Sequence, residues 1–118
     1  MKITAERAFW LLDYYRRHGK VLVFGGRILG EDAACEAQIS YVWPETHSVG
    51  MKLLSEDQRQ TWDRIVPLNR AEFHLFQLGD DEFEEFGNAQ FHSVLMLVFQ
   101  DGTTMFLAEQ APTTIVEQ

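Results

Sequence analysis

The chain is poor in the residues that most often carry covalent or metal chemistry. It has a single cysteine, Cys35, among 118 residues. That excludes an intrachain disulfide and any zinc site built on paired cysteines. Prolines number three, and no Pro-, Gly- or Ser-rich stretch marks a linker, so residues 1–118 read as one domain. Positive charge is scarce: 10 Lys and Arg stand against 18 Asp and Glu, a net charge of −8. Phosphate-backbone binding depends on cations that displace counterions, which argues against nucleic acid and anionic membrane surfaces as partners. Long apolar runs are missing too. The longest, Val94 to Phe99, is far short of the roughly 20 residues a membrane-spanning helix needs. At the N-terminus Lys2, Glu6 and Arg7 fall inside a helical pattern, with no apolar segment of a secretory signal, so the expected compartment is the cytoplasm.

The motifs of common chemistries are absent as well. Gly25, Gly26 and Gly30 have neither the G-x-G-x-x-G spacing nor the lysine and following helix of a phosphate loop. No serine stands in a G-x-S-x-G elbow. No catalytic residue, metal ligand or cofactor is therefore assigned, and the motifs lean away from an enzyme without excluding one.

What is present is core material. The apolar fraction is 46% and the aromatic fraction 13%, values of a folded globular domain. Thr4 is a good N-cap, Ala5 to His18 is helical in pattern, and Gly19 is placed to end it in the left-handed conformation. Arg16, Arg17 and His18 suit the negative end of the helix dipole. At about 100° per residue, Ala5, Ala8, Phe9, Leu11, Leu12 and Tyr15 share one side. Glu6, Arg7, Trp10, Asp13, Tyr14 and Arg17 take the other.

Beyond Gly19 the period becomes alternating. Strands are expected over Lys20–Leu29, with a bulge or tight turn at Gly25-Gly26, and over Cys35–Trp43 after a turn at Gly30-Glu31-Asp32. Further strands are expected over Ser48–Leu53, Trp62–Leu68, Ala71–Leu78, Gln90–Gln100 and Thr103–Glu109. In Cys35–Trp43 the alternation puts Cys35, Ala37, Ile39, Tyr41 and Trp43 on one face. Asp101-Gly102 signals a type I′ hairpin. The acidic run Asp80 to Phe86 reads as a solvated connection containing a helical turn, stopped at Gly87 and pinned by Phe83 and Phe86. Residues 110–118 read as a loose tail or edge extension. The sum is an α+β domain: an N-terminal helix packed on a curled antiparallel sheet, meander or partial barrel, of about seven strands.

Three functional readings follow. The leading one is an interaction domain that self-associates as a homodimer through the N-terminal helix. Trp10 and Tyr14, four residues apart and framed by charges, resemble an interface core with a polar rim. The opposing reading buries both rings within the same chain. The second is a small-molecule pocket in the mouth of the sheet, lined by Trp43, Trp62 and Phe76, with His74 or His92 as polar anchor and a small apolar ligand as partner. The third is acid–base catalysis by His74 or His92 with Glu72, Glu82 or Glu84. A metal held by the two histidines and Glu72 or Glu82 is disfavoured, because their spacing is no metal signature. His18 is accounted for by the helix terminus and His47 by a solvated hairpin end. Cys35 reads as a small buried apolar group.

Overall fold

The computed structural model describes residues 1–28, 31–54, 61–77 and 91–110. Strand β1 (Lys2–Ile3) leads into helix α1 (Ala5–Arg17). Four strands follow in sequence, β2 (Leu22–Ile28), β3 (Glu31–Trp43), β4 (Ser48–Leu54) and β5 (Thr61–Pro67), with a 3-10 turn, Pro44–Thr46, between β3 and β4. Then come β6 (Glu72–Gln77), β7 (Phe91–Val98) and β8 (Thr104–Gln110). The expected α+β class and N-terminal helix on an antiparallel sheet are observed, with eight strands because β1 pairs on β6. Two residues are too few to leave a periodic signal.

Helix α1 is built as its sequence dictates. The Thr4 hydroxyl accepts from the Arg7 N–H at 3.2 Å. At the other end, the Gly19 N–H donates to the Arg16 carbonyl at 3.2 Å and the Lys20 N–H to the Tyr15 carbonyl at 3.0 Å. These are the paired bonds of a Schellman motif, which needs the left-handed Gly19, here at φ +56°. Ala8, Phe9, Leu12 and Tyr15 are buried.

The sheet order is β1-β6-β7-β8-β2-β3-β4-β5, and every pairing is antiparallel. Two meanders, β2 to β5 and β6 to β8, are joined where β8 pairs with β2. Laid flat, β5 and β6 would be roughly 29 Å apart, at about 4.8 Å per strand. The link from Pro67 to Glu72 reaches at most roughly 18 Å. The sheet must therefore curl, and α1 fills its concave side without the sheet closing into a barrel. Leu12, Tyr15, Leu22, Phe24, Met51, Leu95 and Leu107 form the core between helix and sheet. The convex face carries a separate buried group, Phe76, Val94 and Ala108.

Three local expectations are corrected. Gly25 and Gly26 form neither turn nor bulge, since β2 keeps register with β3 through Gly25↔Ala34 and Gly26↔Ala33. Glycine is required there because a Cβ on Gly26, at φ +144°, would lie 2.7 Å from the Thr104 carbonyl oxygen. The turn expected at Gly30-Glu31-Asp32 does not include Glu31 and Asp32, which are already paired in β3. At the β7–β8 hairpin the Gly102 N–H donates to the Phe99 carbonyl at 2.9 Å. Of the hairpin residues only Gly102 has positive φ, so the turn is centred on Gln100-Asp101 with a glycine bulge, and a type I′ turn is excluded. The expectations for the acidic run Asp80 to Phe86, for Gly87 and for residues 111–118 lie outside the described residues.

Candidate functional site

The solvent side of α1 carries an ordered row of rings. Trp10 and Tyr14 stack with centroids 6.0 Å apart and planes 19° from parallel. Tyr14 in turn meets His18 at 4.4 Å. The arrangement follows from helix geometry, since residues four apart stand one above the other on a helix surface. Trp10 is 61% exposed, so the described residues do not enclose it, while Tyr14 is half-buried against the core. Around them Asp13 Oδ1 binds Arg16 at 2.8 Å and Asp13 Oδ2 binds Arg17 Nε at 3.1 Å.

Beside this row lies an open groove of about 590 Å³. Its helix wall is formed by Glu6, Phe9, Trp10 and Asp13, and the facing wall by Val42, Pro44 and His47. The facing wall is set by the turn after β3. His47 adopts a left-handed φ of +51°, its carbonyl accepts from the Leu68 N–H at 2.6 Å, and its ring meets Phe9 edge-on at 5.8 Å. The groove is apolar in its walls, with carboxylates on the helix rim.

Trp43 stands elsewhere. Ser40 is an extra residue in β3, because Ile39 pairs with Met51 and Tyr41 with Gly50. A bulge shifts the alternation by one, so the expected single face breaks at Ser40. Cys35, Ala37 and Ile39 face the helix, Val42 takes over that side, and Tyr41 and Trp43 turn to the convex face. There the two rings stack at 5.5 Å, with Tyr41 61% and Ile65 70% exposed. The alternation in the sequence gives no sign of the extra residue, so this second aromatic patch was not legible in it.

The other proposed pocket residues are dispersed. Phe76 and His74 lie on β6 and Trp43 on β3, four strands away, or roughly 19 Å at 4.8 Å per strand. Trp62 is in β5, and its side chain lies outside the described residues. His74 is opposite Met96. His92, four positions further along β7, is the extra residue of a bulge, since Phe91 pairs with Gln110 and Ser93 with Glu109. The two histidines are thus roughly 13 Å apart along the strand direction, and the structure does not bring them together. His74 does meet a carboxylate, with Nε2 3.6 Å from Glu72 Oε2. Lys2 Nζ lies 3.5 Å from Glu72 Oε1, so that carboxylate is shared. Among the described residues no group of three or more His, Cys, Asp or Glu is placed to hold a metal ion.

Two perturbed groups are Tyr15, fully buried in the core, and Cys35, partly buried against it rather than enclosed as expected. Burial pushes the Tyr15 phenol up to about 12, opposed by its bond to Ser93 and assisted by the charge of Glu109. Its hydroxyl lies 3.5 Å from Ser93 Oγ. Burial also pushes the Cys35 thiol up, which lowers its thiolate fraction and its nucleophilicity. No helix among the described residues is long and apolar enough to cross a membrane. No family model, curated protein or solved structure matches this chain.

Proposed function

We propose that this protein is a non-enzymatic interaction domain that associates with a second copy of itself through the solvent face of α1. The observation that carries the reading is Trp10, 61% exposed and stacked on Tyr14. A rigid, pre-stacked pair loses little conformational freedom on binding, and tryptophan and tyrosine are enriched among binding hot spots. Charged residues flank the pair on α1, as in the polar rim of an interface. Two-fold dimers are the commonest oligomers.

Size-exclusion chromatography with light scattering tests this directly. The expected result is a concentration-dependent shift to the dimer mass in the micromolar range. A chain that stays monomeric at several hundred micromolar overturns the reading.

A further inference from the structure

Glu6, Trp10, Tyr14 and His18 follow one another at intervals of four along α1 and its cap, so they form one slanting i, i+4 ridge of the helix surface. The ridge has a direction. A carboxylate stands at its start and stacked rings occupy its middle. Its end is basic, with His18 beside Arg17. Reversing the helix exchanges these ends. A second copy related by a two-fold axis across α1 therefore lays its Tyr14 against Trp10 and its basic last turn against Glu6. Symmetry repeats the meeting at the other end.

Packing two such ridges together crosses the helices at about 50°. That rotation carries the partner's last turn off the helix axis, toward the flank where Glu6 and Asp13 stand. This is the flank of the groove walled by Val42, Pro44 and His47. At about 100° per residue Arg7 stands on the opposite flank. Glu6 makes no ion pair among the described residues. Arg17 contacts Asp13 through Nε, which leaves donors of its guanidinium fork free.

Area points the same way. A helix of 13 residues is about 20 Å long, and a contact between two such helices alone falls short of the roughly 800 Å² per partner of a standard interface. Filling the adjoining groove adds buried surface to the same contact.

We propose that the groove beside α1 seats the last turn of α1 from a second copy of this chain, with the partner's Arg17 and His18 facing Glu6. The proposal rests on the self-association argued above. Charge exchange tests it. The variants Glu6→Lys and Arg17→Glu each place like charges together at both ends of their own homodimer. Each is expected to weaken self-association at least ~10-fold by sedimentation velocity, as for charges juxtaposed in an interface. An equimolar mixture of the two restores opposite charges at both ends and is expected to return to within about threefold of the parent constant.

Circular dichroism confirms that α1 is retained. If either variant loses its helix, Pro44→Lys, which adds a cation to the facing wall without touching α1, must weaken the dimer. If the parent dimerises but folded single variants match it, or their mixture stays weak, the groove is not the seat and self-association by another surface stands. If the parent is monomeric, both proposals fall.

Discussion

Replacing Trp10 by alanine should separate association from folding. A tryptophan side chain buries up to ~250 Å², and Trp10 is 61% exposed, which leaves about 150 Å² for a partner to cover. At about 25 cal/mol per Å² that surface contributes at most about 4 kcal/mol. Alanine retains part of it, so a loss of about 2–3 kcal/mol per copy is expected, in the range of measured hot spots. The two-fold contact contains the residue twice. A dimer of about 1 µM affinity would thus weaken to the millimolar range or beyond.

Folding should change little, because the lost intrachain contact is mainly the stack on Tyr14, a pair of the kind worth about 1 kcal/mol. That corresponds to a melting shift of a few degrees in a domain of this size. Light scattering from ~5 to ~500 µM measures association. Melting at low concentration, where mass action does not couple the two, measures folding. The reasoning is refuted if Trp10→Ala dimerises like the parent, or if it costs the monomer more than about 3 kcal/mol, the penalty of a core residue.

Other perturbations read out the rest of the structure. Tyr15 is neutral and buried in the fold, with its pKa raised from 10.0 to about 12. Its contribution is therefore complete below pH 10 and is lost as pH rises through 12, about 2–3 kcal/mol in all. Urea unfolding between pH 8 and pH 12 should show that loss, and Tyr15→Phe should remove most of it. At pH 8 the same variant should lose no more than about 1 kcal/mol, since the bond to Ser93 is long at 3.5 Å. Gly26→Ala should cost at least ~2 kcal/mol in urea unfolding, because its Cβ would meet the backbone of Thr104 and Met105 at 2.7 and 2.9 Å. Tyr41→Ser, on the convex face, should leave the dimerisation constant unchanged. A loss there would move the interface from α1 to the Tyr41–Trp43 stack.

The helix was legible to within a residue at each end because its signals are local. Thr4 caps one end and Gly19 the other, and the apolar spacing names the buried side. The same spacing placed Trp10 and Tyr14 opposite the core; Trp10 stands there, while Tyr14 is half-buried against the core. The strands were legible as elements, since alternation and turn residues lie within a few positions of each other. Faces were less so. Ser40 is one added residue, yet it moves Tyr41 and Trp43 across the sheet, and nothing in its side chain announces a bulge. The groove was invisible for a different reason. Its walls, Glu6 to Asp13 and Val42 to His47, are separated by about thirty residues of chain, and no local pattern links them.

The chain's short-range chemistry was thus enough for the class, the helix with its caps, the strand-rich remainder, and the absence of cysteine-based metal and phosphate-loop motifs. These depend on residues within one turn or one hairpin of each other. Tertiary structure decided which strands are neighbours, and so that His92 lies apart from His74, whose contact with Glu72 is made within one strand. It also decided that β5 and β6 come close through a short link that curls the sheet around α1. The physical reason is register. A strand's partners and faces are set by long-range hydrogen bonding and burial, and one extra residue in a ladder reverses every side chain beyond it.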